Sequence, residues 1–172
     1  MKVIRYPERA EWSVLLERPH ADLTALQSAV NEILSCVKAR GDAAVLEFEK
    51  RFDHVSLSSL QVSSEEMDEA EALVPEALKE ALSLAERNIA TFHASQRFEG
   101  RRVQTSPGVV CWQKAVPIER VGLYVPGGTA PLFSTVLMLA VPARLAGCRE
   151  VVLCTPPDKQ GKVHPAILYA AR

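Results

Sequence analysis

Val121-Gly122-Leu123-Tyr124-Val125-Pro126-Gly127-Gly128-Thr129-Ala130-Pro131-Leu132-Phe133-Ser134 runs directly into Thr135-Val136-Leu137-Met138-Leu139-Ala140. This order of residues predicts a strand, a glycine turn and a helix. Two consecutive glycines let the backbone bend sharply and approach a ligand without an intervening Cβ. The helix that follows directs its unpaired N–H groups and positive dipole end at the same place, which favours a phosphate or another anion. The alternative is a tight strand-to-helix connection whose glycines serve backbone geometry alone. Spacing leaves both readings open.

The two familiar phosphate-binding patterns are absent. In the frame Gly122-x-x-x-x-Gly127, a P-loop requires Lys at the next position, and that position is Gly128. A dinucleotide fingerprint requires G-x-G-x-x-G opening the helix, whereas the next glycine after the pair is Gly147, at the helix's far end. Tyr124 stands one residue before the turn. It is either a core aromatic with its hydroxyl in solvent or a ring and hydroxyl aimed at whatever Gly127 and Gly128 hold.

Downstream, a helix from about Leu132 to Ala146 leads to a strand from Glu150 to Thr155, stopped by Pro156-Pro157. The result is a βαβ unit with strands 121–125 and 150–155 parallel, the crossover right-handed and the glycine loop at a strand's carboxyl end. Val163 to Arg172 then begins another helix. A crossover helix should lead to a further parallel strand, because parallel sheets rarely exist as pairs. The unit therefore reads as unfinished, completed by another chain or by a continuation of this one, and the missing strand favours a continuation.

Upstream the chain is mostly helical. Helices are expected over Glu8 to Glu17, ended by Pro19-His20; from a cap at Asp22 through Leu23, Leu26, Val30, Ile33, Leu34 and Val37 to Gly41; and over Asp42 to Phe52. Ser63 with Glu66 forms a capping box for a short acidic helix. Pro75 suits the first turn of a longer one carrying Leu78, Leu82, Ala85, Ile89 and Phe92. These stripes are expected to be packing faces. Val103 to Thr105 and Val109 to Val116 have strand composition, with Pro107-Gly108 as a turn. The helical part gives way to the α/β part near Pro117 to Arg120.

The chain has 172 residues, 48% of them hydrophobic and 24% charged, as in an ordinary globular protein. With 20 Lys and Arg against 21 Asp and Glu, neither sign forms a long run, so no nucleic-acid footprint is present. Arg97, Arg101 and Arg102 form a basic cluster read as a solvated loop. The N-terminus turns charged before a signal peptide's apolar core could form, and the longest apolar run, Val136 to Ala143, is too short to span a bilayer. The expectation is a cytoplasmic protein with no membrane partner. Cys36, Cys111, Cys148 and Cys154 are scattered without a C-x-x-C pair and read as small buried hydrophobes rather than a disulfide or zinc site.

Catalytic groups do not converge in the sequence. His20, His54, His93 and His164 show no metal-ligand spacing, no Ser occupies G-x-S-x-G, and the carboxylates gather on the exposed face of residues 64–80. His93 adjoins Phe92, taken as a buried stripe residue. No catalytic residue and no metal ligand is assigned within these residues.

The long loop segment, followed by Pro142-Ala143, Ala146-Gly147-Cys148 and Val151-Val152-Leu153-Cys154-Thr155-Pro156-Pro157, resembles histidinol dehydrogenase. Upstream, Val37-Lys38-Ala39-Arg40-Gly41-Asp42-Ala43-Ala44, Phe52-Asp53, Asn88-Ile89, Thr91-Phe92-His93 and Pro107-Gly108-Val109 also match that family. The resemblance implies an NAD-dependent zinc enzyme that oxidises L-histidinol to L-histidine in histidine biosynthesis, built as a homodimer. It implies an α/β fold in which a helical N-terminal part precedes an incomplete Rossmann-like parallel βαβ unit, akin to aldehyde dehydrogenases. On that basis 1–20 is an N-terminal helical segment, 21–120 belongs to a first α/β domain, and 121–172 begins a second, truncated one.

Tyr124 matches the family's NAD-contacting tyrosine, and Pro126, Gly127 and Gly128 share the cofactor loop. The family's Zn²⁺ ligands and its Glu-His base pair fall beyond the equivalent of Arg172, so the isolated chain is expected to be inactive. The competing expectation is a non-catalytic truncated paralogue that serves as an interaction or assembly module through its open sheet edge.

Overall fold

The computed structural model describes residues 3–18, 23–127 and 130–172. The chain divides into two compact units, Met1–Ala44 and Val45–Arg172. In the first, a 3-10 turn, Arg9–Glu11, leads into α1, Trp12–Leu15. Glu8 and Glu11 cap this turn reciprocally, the Glu8 N–H donating to Glu11 Oε2 at 2.9 Å. The N–H of Leu16 returns to the Trp12 carbonyl and that of Glu17 to Val14, which closes the expected 8–17 helix early. Helix α2 is Thr24–Arg40, ended by Gly41 at φ +56°, where a side chain would be strained. The expected break at Pro19-His20 and cap at Asp22 lie outside the described residues.

The α2 stripe departs from expectation: Leu23, Leu26, Val30 and Leu34 are exposed, with Ile33 and Val37 half-buried. Within this unit the described residues include no strand on which the stripe could pack.

Helix α3, Asp42–Phe48, crosses into the second unit and continues as a π-helical turn, Glu49–Asp53, where Phe48 and Phe52 stack at 5.7 Å. Helix α4 is Ser64–Leu73, capped by Ser63 Oγ, which accepts the Glu66 N–H at 3.1 Å. Helix α5 is Glu76–Ala94, with Pro75 in the capping position just before the first turn. Strands β1, Arg102–Ser106, and β2, Val109–Trp112, form an antiparallel hairpin turned at Gly108, φ +80°. The β2 strand stops four residues short of Val116 because Arg102↔Trp112 is the last pair of the register.

Strand β3, Arg120–Tyr124, runs parallel to β4, Glu150–Cys154, in the register Val121↔Val151 through Tyr124↔Cys154. Between them lies α6, Phe133–Ala146, and after them α7, Pro165–Ala171. This is the expected parallel βαβ unit, and the chain is an α/β protein. Gly147 at φ +88° and the Cys148 N–H bonded to the Ala143 carbonyl at 3.1 Å close α6 in a Schellman-type turn.

Val125, Val136 and Ile167 form the core of this unit, packed by Leu132, Phe133, Leu139, Leu153, Val163 and Ala170. Helices α6 and α7 thus meet over one face of the strands, while α5 packs on α6 and α4 on α7 as an outer layer. The opposite face carries Arg120, Gly122, Tyr124, Glu150, Val152 and Cys154, all exposed.

Two burial expectations are corrected. Phe92 is 63% exposed, whereas Leu82, ten residues earlier on the same stripe, is buried. The cysteines are not buried hydrophobes: Cys111 is exposed on the hairpin, Cys154 is exposed on the open sheet face, Cys36 and Cys148 are half-buried, and all are free thiols.

Candidate functional site

The parallel pair delivers its carboxyl ends to one edge of the second unit, where open α/β sheets form ligand crevices. Tyr124, the last residue of β3, is 64% exposed with its side chain on the open face beside its register partner Cys154. Alternation along the strand puts the next residue inside. Val125 is fully buried, and its N–H donates to the Cys154 carbonyl at 2.9 Å, prolonging the strand pairing by one rung.

Pro126 and Gly127 follow, both exposed. Gly127 lies against the ring of Pro156, so closely that a Cβ at this position would sit 2.6 Å from Pro156 Cγ. Gly128, the fourth predicted loop residue, and its neighbour Thr129 lie outside the described residues. The loop then enters α6, whose capping position is Leu132 with no side-chain cap. A polar Ser, Thr or Asp there would have taken one of the first-turn N–H groups; Leu supplies no such acceptor.

The segment after β4 supplies the other side. The Thr155 hydroxyl is buried with no hydrogen-bond partner. Beyond Pro156-Pro157, Asp158 Oδ1 accepts the N–H groups of Gln160 at 2.8 Å and Lys162 at 2.9 Å, holding a tight turn. His164 Nδ1 accepts the Ala166 N–H at 3.2 Å and caps α7. A cleft of about 460 Å³ opens here between α4, Pro131, Pro156 and α7, with Glu66, Asp158 and Lys162 in its walls. Lys162 Nζ stands 3.9 Å from Glu66, a loose pair that partly balances the acids.

Of the predicted loop residues, Tyr124, Pro126 and Gly127 lie exposed at and just after the carboxyl end of β3. The contact of Pro156 with Gly127 and the burial of the Thr155 hydroxyl were not read from the sequence, where Pro156-Pro157 was legible only as a strand stop. The histidines stay apart: His54 ends the π-helical turn at φ +60°, His93 bonds Gln96 at 2.8 Å, His164 caps a helix, and His20 lies outside the described residues. Among the described residues no three His, Cys, Asp or Glu side chains gather as a metal site. No described helix is long and apolar enough to cross a membrane. A larger open groove of about 970 Å³ lies between the end of α5 and the hairpin, lined by Arg97, Phe98, Arg101 and Trp112, with Arg102 held over the Trp112 ring at 5.3 Å.

Residues 16–172 match the sequence model of the histidinol dehydrogenase family. The chain belongs to the histidinol dehydrogenase family. The histidinol dehydrogenase of Bacteroides thetaiotaomicron is 62% identical over 172 residues, covering 100% of this chain and 40% of its own. That of Vibrio cholerae is 49% identical over 167 residues, covering 95% and 37%. The crystal structure of histidinol dehydrogenase from Elizabethkingia anophelis superposes with a TM-score of 0.89 at 46% identity, over 96% of this chain and 38% of that one. The chain thus spans about 40% of the length of the curated histidinol dehydrogenases it matches.

For a dinucleotide the described residues offer an exposed tyrosine ring at the end of β3, a start of α6 with no side-chain cap and, just after β4, a buried hydroxyl without a partner. For zinc the described residues do not fit, since they assemble no donor set.

Proposed function

We propose that this chain forms one wall of the dinucleotide site of an NAD-dependent histidinol dehydrogenase that oxidises L-histidinol to L-histidine. The observation that carries this is Tyr124 exposed at the carboxyl end of β3, with α6, the next helix, starting without a side-chain cap. NAD⁺, when bound, supplies the hydride acceptor for the oxidation. Tyr124 offers a ring for stacking and a hydroxyl for hydrogen bonding. Pro126, Gly127 and Gly128 shape the loop, and the start of α6 offers backbone donors to a pyrophosphate. The Thr155 hydroxyl is a further polar group at the same edge.

The zinc ligands and the acid–base pair of the reaction would come from outside these residues. The proposed organisation keeps 121–172 as the beginning of the dinucleotide-binding domain, 21–120 as part of a preceding α/β domain and 1–20 as a separate helical segment. The proposed setting is cytoplasmic, with a second copy of the chain as partner and histidinol as the small-molecule substrate.

Mixing the 172-residue chain with histidinol, NAD⁺ and zinc should give no NADH absorbance, because binding geometry without acid–base groups does not supply the chemistry. Sustained, zinc-dependent NADH formation would overturn that part of the reading. A second reading, an assembly module, is favoured by the wholly exposed outer face of the parallel pair, since parallel sheets are ordinarily covered on both faces.

A further inference from the structure

We propose that Pro156 is a positioning residue for the glycine loop, and that Gly127 is a glycine because of Pro156. Glycine at a turn usually answers one of two needs, a left-handed backbone or an approaching ligand. Gly127 is not among the glycines with positive φ, so the first need is absent. What crowds it is the chain itself. A Cβ at Gly127 would stand 2.6 Å from Pro156 Cγ but 3.6 Å from Pro156 Cβ and 3.7 Å from Cδ, so a single ring atom makes the conflict. A proline ring cannot swing aside as a long flexible side chain does, because its atoms are tied back to the backbone.

The contact continues the sheet. Tyr124 pairs with Cys154, the Val125 N–H then bonds the Cys154 carbonyl at 2.9 Å, and Gly127 next meets Pro156. The two chain segments therefore leave the sheet side by side. Pro126, Pro156 and Pro157 stiffen them, each with φ fixed by its ring. In this arrangement the segment after β4 sets where the chain lies at Gly127. The interlock stands on geometry alone; its consequence for dinucleotide affinity rests on the reading of this loop as part of the NAD⁺ site.

The test compares the full 172-residue chain with Gly127→Ala, Pro156→Ala and the double variant. Hydrogen exchange of the loop amides and the thermal midpoint are measured for all four, and NAD⁺ is then titrated into each. Gly127→Ala should speed loop exchange about tenfold or more and lower the midpoint. In the Pro156→Ala background, which lacks the clashing Cγ, the same change should have much less effect on both. Pro156→Ala alone should speed exchange in the loop and leave α5 unchanged. Dinucleotide affinity lost in Gly127→Ala should return in the double variant. If Gly127→Ala fails to fold while the double variant folds, the interlock is supported. Additive effects, or unchanged loop exchange in Pro156→Ala, would overturn it. Absence of NAD⁺ binding by the unaltered chain would instead overturn the dinucleotide reading, leaving the interlock to be decided by exchange.

Discussion

At Thr155 the hydroxyl oxygen is buried without a partner, the kind of group that ordinarily costs a folded protein stability. Thr155→Val, which keeps the shape and removes the hydroxyl, is expected to stabilise the unliganded chain by about 1 kcal/mol, read from urea unfolding, and to weaken dinucleotide binding. Loss of stability would show that the hydroxyl has a partner in solution. Glu49 presents a related case: one carboxylate oxygen is buried and unpartnered, and burial foremost, with Asp53 nearby, holds its pKa above the ordinary glutamate value. A raised carboxylate pKa means that the folded state binds the proton more tightly than the unfolded one. Stability is therefore lost as pH rises through the region just above the ordinary value, and it is not regained at neutral pH. Glu49→Gln should flatten that slope and raise the urea midpoint at neutral pH; an unchanged slope would place the titration elsewhere. Little at this scale was legible in the sequence. Gly127 announces a turn, but its partner Pro156 lies across the whole βαβ crossover, and nothing local marks Thr155 as buried.

Elements were read more faithfully, because caps and stripes are local signals. Ser63 does accept the Glu66 N–H, and Ser63→Ala should cost about 1 kcal/mol, measured as a shift in thermal midpoint. Helix α6 ends where Gly147 ends it, and its apolar residues Val136, Leu137 and Val141 are buried. Leu82 is buried where α5 meets α6, and Leu82→Ala should cost about 2–5 kcal/mol, far more than Phe92→Ala at the exposed end of the same stripe. Comparable losses at both positions would contradict the packing described. Phe92 and the α2 leucines mark the limit of periodicity. A stripe states which face is apolar, and what that face meets depends on chain elsewhere.

For the molecule as a whole, the parallel pair is covered by α6 and α7 on one face and bare on the other. The parallel pairing of β3 and β4 was legible in the sequence from the helix between them. The bare face, with Val152 49% exposed and Tyr124 and Cys154 at its carboxyl end, followed only once the register was known. Light scattering should find the chain self-associating, and a strict monomer at high concentration would count against pairing with a second copy. The central claim is that the crevice beside Tyr124 is a wall of a dinucleotide site, and calorimetric titration of NAD⁺ into the 172-residue chain and its Tyr124→Ala variant tests it most directly. The account predicts weak, saturable binding that the variant loses; no heat of binding at millimolar NAD⁺, or equal binding by both proteins, would contradict it.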